Sequence, residues 1–111
     1  MAAQPLHKFR VVDLSRILAG PFSTQLLADL GAEVHKIEPL EGDPTRGWGP
    51  PFDPVDGESA YFRCANRGKT SEALELHSPA GKARLLDLLK DADVLVENFL
   101  PDSAARLGLT W

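Results

Sequence analysis

A set of polar and aromatic side chains follows the last apolar run of the chain. Asn98 and Phe99 come just after the run 94–96, and Arg106 lies seven residues beyond Phe99. An aromatic ring and an amide can sandwich and hydrogen-bond a base such as adenine, while a guanidinium neutralises phosphate. A core phenylalanine with a surface arginine gives the same pattern and is the commoner arrangement, so these residues alone do not establish a nucleotide site.

A second candidate is the motif Leu18-Ala19-Gly20-Pro21, which lies between the first apolar run and the first helical pattern. Ligands of open α/β sheets bind outside the carboxyl ends of the strands, and a helix N-terminus there favours anions. The motif lacks the pattern Gly-x-Gly-x-x-Gly. By themselves, the residues therefore favour a plain strand-to-helix turn, with Gly20 permitting the bend.

Two further motifs carry isolated cations. The segment 42–51 places Arg46 and Trp48 in a Gly- and Pro-rich loop. It is either a flap that closes over a substrate and binds its carboxylate or a surface turn with Trp48 in a neighbouring groove. The segment 66–71 resembles the end of a P-loop, but the required upstream glycine is missing. A basic turn that meets a phosphate or a partner chain remains possible there.

Metal and thiol chemistry are poorly supported by the sequence. His7, His35 and His77 are far apart and show no paired-ligand spacing, so we expect no metal site. Cys64 has no identifiable catalytic partner, which favours a buried cysteine over a nucleophile.

The spacing of apolar residues and the positions of glycine and proline predict the strands and helices that must position these residues. A strand over 9–14, a helix from about 22 to 30 closed by Gly31, and a strand over 32–38 form a βαβ unit with parallel strands. Prolines and glycines make a regular strand or helix implausible in the loop 39–60.

The second half of the chain continues the alternation. We expect a strand over 70–76, then a helix capped by Ser78 with a stripe of leucines at 85, 86, 88 and 89. A buried strand over 93–99 and a short helix over 104–109 complete the pattern. The fold class is α/β, a parallel sheet with flanking helices in one domain spanning 1–111.

Composition narrows the possible partners. The 111 residues carry a net charge of −4, and the basic residues are scattered singly, which argues against nucleic-acid binding. No apolar run approaches the ~18 residues of a membrane span, and the first residues lack the pattern of a secretory signal. A single cysteine fits a reducing compartment, and we expect a cytoplasmic protein.

Taken in order, the motifs resemble CoA-transferase family III, the group that includes formyl-CoA and carnitine CoA-transferases. The matching segments are 12–16, 18–22, 27–34, 36–38, 42–46, 66–69, 93–99 and 107–109. The resemblance implies the first part of a Rossmann-like domain that binds coenzyme A as a substrate, with no tightly bound cofactor. It also implies an interlocked homodimer that moves CoA from an acyl-CoA to a carboxylic acid acceptor.

The resemblance assigns binding roles but no catalytic residue. Family members attack the thioester with an aspartate, and none of the 16 acidic residues here matches it, so we expect this chain alone to be inactive. The implied CoA-binding residues are Leu18 and Ala19 near the thioester, Leu74, Leu76, Asn98, Phe99 and Leu107 around adenine, and Arg106 at the phosphates. His77 stands where many members have a lysine, and Asp102 replaces the usual glycine; both changes would weaken phosphate contacts.

Two other functions remain open at this point. A 2-methylacyl-CoA racemase belongs to the same superfamily and would use general bases at the α-carbon. The long segment 42–61 favours the transferase, since racemases of the family tend to be shorter there. The second possibility is a truncated, non-catalytic module that binds CoA or a partner, which the missing aspartate favours.

Overall fold

The computed structural model describes residues 3–109, which form one parallel sheet with helices packed against it. The strands are β1 (Arg10–Asp13), β2 (Glu33–Glu38), β3 (Thr70–Ala73) and β4 (Val94–Val96). The helices are α1 (Ala19–Asp29), α2 (Ala60–Ala65), α3 (Pro79–Leu89) and α4 (Pro101–Arg106), with a 3₁₀ helix over Pro44–Gly47. The predicted α/β class with a parallel sheet is confirmed.

The spatial order of the strands is β3-β2-β1-β4, and every pairing is parallel. The chain therefore moves outward from β1 through β2 to β3 and returns to the other side of β1 with β4. This reversal opens a crevice between the carboxyl ends of β1 and β4. Such a switch point is where open α/β sheets bind their ligands.

The two faces of β1 hold two separate apolar clusters. On one face Val11 and Val34 pack with Leu27 of α1. On the other, Val12 packs with Leu85 of α3. Since both faces of β1 and β2 are covered, their apolar residues do not alternate cleanly with polar ones, as expected for parallel strands.

The predicted end of α1 and the predicted start of α3 are confirmed, whereas α1 begins at Ala19 and not near residue 22. Gly31 has a φ of +103° directly after the C-terminal residue Leu30, a conformation that favours glycine. At α3 the Ser78 side chain accepts a hydrogen bond from the Gly81 N–H at 3.0 Å, and Pro79 is the first helical residue.

Several predictions for the second half were wrong in detail. The strand expected over 93–99 spans only three residues and is not buried: Val94 is 39% exposed, because β4 is an edge strand within residues 3–109. Leu86, expected in the buried stripe of α3, is 60% exposed. The last helix begins at Pro101, which supplies its first turn, and not at Ala104.

The region around the loop 39–60 is largely irregular, as predicted, with two differences. Asp43 accepts the Thr45 N–H at 2.9 Å and caps one turn of 3₁₀ helix. Helix α2 follows the loop and is capped by Ser59. The sequence pattern did not predict this helix. Cys64 lies on α2 and is exposed, so the expectation of a buried cysteine was wrong. In the described part of the chain, no helix is long and apolar enough to cross a membrane.

Candidate functional site

A pocket of about 200 Å³ lies at the carboxyl edge of the sheet. Leu14, Pro39 and Leu74, which directly follow β1, β2 and β3, all line it. Buried residues Leu14 and Ile37 belong to the cluster between the sheet and α3 and give the pocket an apolar wall. The pocket therefore forms where the strand order predicts a ligand crevice.

Six of the nine residues predicted to bind CoA meet in this pocket. They are Leu74, Leu76, His77, Phe99, Arg106 and Leu107, contributed by the segment after β3, the segment after β4 and the C-terminal end of α4. One wall is thus aliphatic and aromatic, while the rim carries a guanidinium and an imidazole. A planar base with attached phosphates needs this combination of surfaces.

The pocket also contains two charged residues that the prediction did not include. The Arg16 guanidinium lies 5.7 Å from the centre of the Phe99 ring, within the range of a cation–π contact. Glu75 is the acidic lining residue, and its Oε1 accepts the His77 N–H at 3.2 Å. The sequence signal that could have revealed Arg16 is its place three residues after the buried strand β1.

Asn98 lies beside the pocket, and its side-chain amide forms hydrogen bonds with the backbone of Arg16. Its Oδ1 accepts the Arg16 N–H at 3.1 Å, and its Nδ2 donates to the Arg16 carbonyl at 2.9 Å. Both bonds join the loop after β4 to the loop after β1 across the switch point. Asn98 therefore holds the backbone that presents Arg16.

Leu18 and Ala19 lie outside the pocket, at the start of α1. Leu18 is the residue before the helix and is 45% exposed. Gly20 is needed here for space: a Cβ at this position would clash with the Ser15 side chain. The start of α1 thus packs directly on the loop after β1, and Gly20 serves this close approach.

The loop between β1 and α1 contains a strained residue. Ile17 has a φ of +74°, a region that β-branched side chains rarely occupy. Its N–H donates to Asp43 Oδ2 at 3.3 Å. Lys36 Nζ is bonded to the same oxygen at 3.0 Å and to the Ser15 carbonyl at 2.9 Å. A buried ion pair therefore holds this loop in its unusual conformation.

The guanidinium of Arg46 is occupied by a carboxylate of the protein. Its Nε and Nη2 each lie 2.7 Å from Glu38, and its Cζ lies 3.9 Å from the Phe62 ring centre. Burial alone would raise the pKa of Glu38, but hydrogen bonds from Arg46, Ser71 and the Asp43 N–H lower that pKa to about 2. Of the two interpretations left open for Arg46, a clamp for a substrate carboxylate is therefore not supported by its contacts.

Trp48 and the basic turn also have internal partners. Trp48, 44% exposed, packs edge-on against Tyr61 with ring centres 5.1 Å apart. Lys69 is buried and donates to Asp13 Oδ2 at 3.1 Å and to the Pro21 carbonyl at 2.9 Å. Arg67 pairs with Asp29 at 2.7 Å. The cations of the segment 66–71 therefore hold α1 against the sheet, and a phosphate site there is not supported.

No group of three or more His, Cys, Asp or Glu side chains is placed to hold a metal ion in the region 3–109. His35 instead contacts Thr70 and Glu72 across β2 and β3.

Comparison with known proteins decides the family. The model of CoA-transferase family III matches residues 6–111. The chain belongs to this family. The expected resemblance is thereby confirmed over nearly all of the chain, and the family's fold agrees with the parallel sheet described above.

Two curated relatives are named as CoA-transferases. The chain is 48% identical to the succinate–glutarate CoA-transferase of Agrobacterium fabrum, covering 96% of this chain and 28% of that protein. It is 49% identical to the succinyl-CoA:glutarate CoA-transferase of Mus musculus, covering 97% of this chain and 24% of that protein. The chain therefore spans about a quarter of the length of these relatives.

A solved structure supports the same assignment. A CaiB/BaiF family protein from Brucella suis superimposes with a TM-score of 0.92 at 45% identity, covering 97% of this chain and 29% of that one. The four-stranded sheet and its helices are thus part of a larger fold in that structure.

Proposed function

We propose that this chain forms part of the coenzyme A pocket of an acyl-CoA:carboxylate CoA-transferase. The observation that carries the proposal is the convergence of Leu74, Leu76, Phe99, Leu107 and Arg106 in one pocket. These residues come from three separate segments, and the family assignment links the pocket to CoA chemistry. CoA acts as a substrate in this proposal, with no tightly bound cofactor.

The shape and chemistry of the pocket favour the nucleotide end of CoA. At about 200 Å³ the pocket is smaller than the ~300–1,000 Å³ that enclose a drug-sized ligand. It would therefore enclose one part of CoA, the purine, against the leucines and the Phe99 ring. Arg106, on the rim, would meet a phosphate. The pantetheine arm would leave the pocket toward Leu18 and Ala19.

Asn98 and His77 have secondary roles in this arrangement. Since Asn98 holds the Arg16 backbone, it would act on adenine mainly by fixing the loops on either side of the base. His77 is exposed on the rim, and an imidazole there would give a weaker phosphate contact than a lysine.

The proposed reaction transfers CoA from an acyl-CoA to a carboxylic acid acceptor. The two relatives named above are transferases, which favours this reaction over the racemase alternative. We expect the nucleophilic aspartate to come from outside residues 1–111, so this chain alone should show no transfer activity. A cytoplasmic homodimer is part of the same proposal. The half-exposed row Leu18, Phe22, Leu26 and Leu30 along α1 supports an association surface.

The test is calorimetric titration of CoA into the natural polypeptide that contains this chain. Phe99→Ala should raise the Kd about 10-fold, from the loss of one stacked aromatic contact. Arg106→Ala should raise it by about 10- to 100-fold, from the loss of a charge-assisted phosphate contact. Arg84→Ala, whose side chain pairs with Glu72 of β3 outside the pocket, is the control. Wild-type protein that fails to bind CoA would overturn the proposal.

A further inference from the structure

Two arginines differ from the others in having no carboxylate partner among residues 3–109. Five arginines form ion pairs with nearby carboxylates: Arg10, Arg46, Arg63, Arg67 and Arg84. Within residues 3–109, Arg16 and Arg106 form none, and both line the same pocket. An acidic protein that pairs its other arginines but leaves these two unpaired in one pocket, which has Glu75 as its acidic lining residue, carries an excess of positive charge there.

Side-chain hydrogen bonds hold the backbone of Arg16 and of the residue that follows it. The Asn98 amide forms hydrogen bonds of 3.1 and 2.9 Å with the Arg16 N–H and carbonyl. The next residue, Ile17, is fixed in a strained conformation by the buried Asp43, which Lys36 neutralises. Strain of this kind persists only where the surroundings enforce it, and it is concentrated at functional sites.

The side chain of Arg16 remains available for a ligand. Among the described residues, the Arg16 guanidinium forms no ion pair with a carboxylate and donates no hydrogen bond. It lies over the Phe99 ring. A guanidinium at this distance from an aromatic ring gains a cation–π contact and retains its N–H donors, which can bind phosphate oxygens bidentately. The site therefore has a fixed backbone, an oriented cation and an apolar floor.

We infer that Arg16 is a second phosphate-binding residue of the pocket and binds the 5′-diphosphate of CoA. This inference rests on the proposed function. The diphosphate is favoured because Arg16 lies in the first strand-to-helix loop, at the switch point and beside the start of α1, where dinucleotide pyrophosphates bind in related sheets. Asn98 is the positioning residue that presents Arg16.

The experiment compares CoA with 3′-dephospho-CoA by calorimetric titration of the natural polypeptide. Arg16→Gln should raise the Kd for both ligands by the same factor, about 10- to 100-fold, since both retain the diphosphate. Arg16→Lys should lose less, because it keeps the charge but not the bidentate geometry. Arg10→Gln removes the same charge at the opposite end of β1 and should leave both affinities within about twofold.

Each other outcome has a distinct meaning. If Arg16→Gln weakens CoA but leaves 3′-dephospho-CoA unchanged, Arg16 meets the 3′-phosphate and the diphosphate assignment is wrong. If neither affinity changes while Arg106→Ala weakens CoA, the pocket stands and the inference about Arg16 fails. If wild-type protein binds neither ligand, the proposed function itself fails. Asn98→Ala should weaken CoA binding in wild type but add little in the Arg16→Gln background, which distinguishes positioning from direct contact.

Discussion

The buried pair of Lys36 and Asp43 allows a quantitative test of how the candidate site is built. Both side chains are at most 1% exposed and their charged atoms lie 3.0 Å apart. Asp43 Oδ1 accepts from the N–H and Oγ1 of Thr45, while Oδ2 accepts from Lys36 Nζ and the Ile17 N–H. Asp43→Asn can keep the Thr45 bonds but turns an amide donor toward Lys36 and Ile17.

The expected loss follows from burial. Removing one partner of a buried pair leaves an uncompensated charge and costs about 3–5 kcal/mol, a large part of the ~5–15 kcal/mol that stabilise a domain. Lys36→Met alone should cost a similar amount. The double variant Lys36→Met/Asp43→Asn removes both charges, so its loss should be smaller than the sum of the single losses by at least about 1 kcal/mol.

Hydrogen exchange during urea titration of the natural polypeptide is the appropriate assay. Peptides covering residues 15–47 report local unfolding even where a larger chain does not unfold in two states. Asp56→Asn, the same change at an exposed position of the neighbouring loop, should change stability by less than about 1 kcal/mol.

The same pair predicts a pH dependence. Burial would raise the pKa of Asp43, but hydrogen bonds from Thr45 and Lys36 outweigh burial and lower that pKa below 3.8. The stabilisation is therefore complete above about pH 4 and is lost as pH falls through the lowered pKa, so the difference between wild type and Asp43→Asn should shrink there. Additive single losses, or a loss below about 1 kcal/mol for Asp43→Asn, would refute this reasoning.

Three further predictions concern other contacts around the pocket. Gly81→Ala should destabilise α3 and weaken CoA binding, because the added Cβ would clash with the Glu75 carbonyl beside the pocket. Thermal unfolding measures the stability and calorimetry the CoA affinity. An unchanged melting temperature and an unchanged Kd would contradict this packing. The pKa of Glu38 is lowered from 4.5 to about 2, so its ionised carboxylate should stabilise the protein by about 3 kcal/mol at neutral pH. This stabilisation should vanish as pH falls from about 5 to below 2. An acid titration in which Glu38→Gln and wild type lose stability in parallel would disprove it. Lys69→Met should cost about 3–5 kcal/mol in urea unfolding by leaving the Asp13 carboxylate unpaired, whereas Lys90→Met on the exposed end of α3 should cost little.

Local patterns in the sequence were sufficient for the first half of the fold. The βαβ unit was predicted because an apolar run, a helical repeat closed by Gly31 and a second apolar run are each encoded by neighbouring residues. The Ser78 cap and Pro79 marked α3 in the same way. Helix α2 was missed, since six residues after a long loop carry too short a periodic signal.

The site residues also divide into those that local sequence patterns reveal and those whose contacts depend on distant parts of the chain. Phe99 and Arg106 were recognisable as a pair because they lie seven residues apart, and the family motifs identified the leucines that share their pocket, whereas Asn98 lies beside it. The partners of Arg46 and Lys69 were not recognisable. Arg46 lies near Glu38 only because the loop folds back on β2, and Lys69 reaches Asp13 only because β3 and β1 flank β2.

The sequence by itself determined the four strand segments, helices α1 and α3, and the family to which the motifs belong, but not helix α2 or the start of α4. Only the tertiary structure decided which cations are free for a ligand. Pairing of charges depends on contacts between residues far apart in the chain, such as Asn98 and Arg16, 82 positions apart. Those contacts follow from the strand order β3-β2-β1-β4, which places the loops after β1 and β4 side by side.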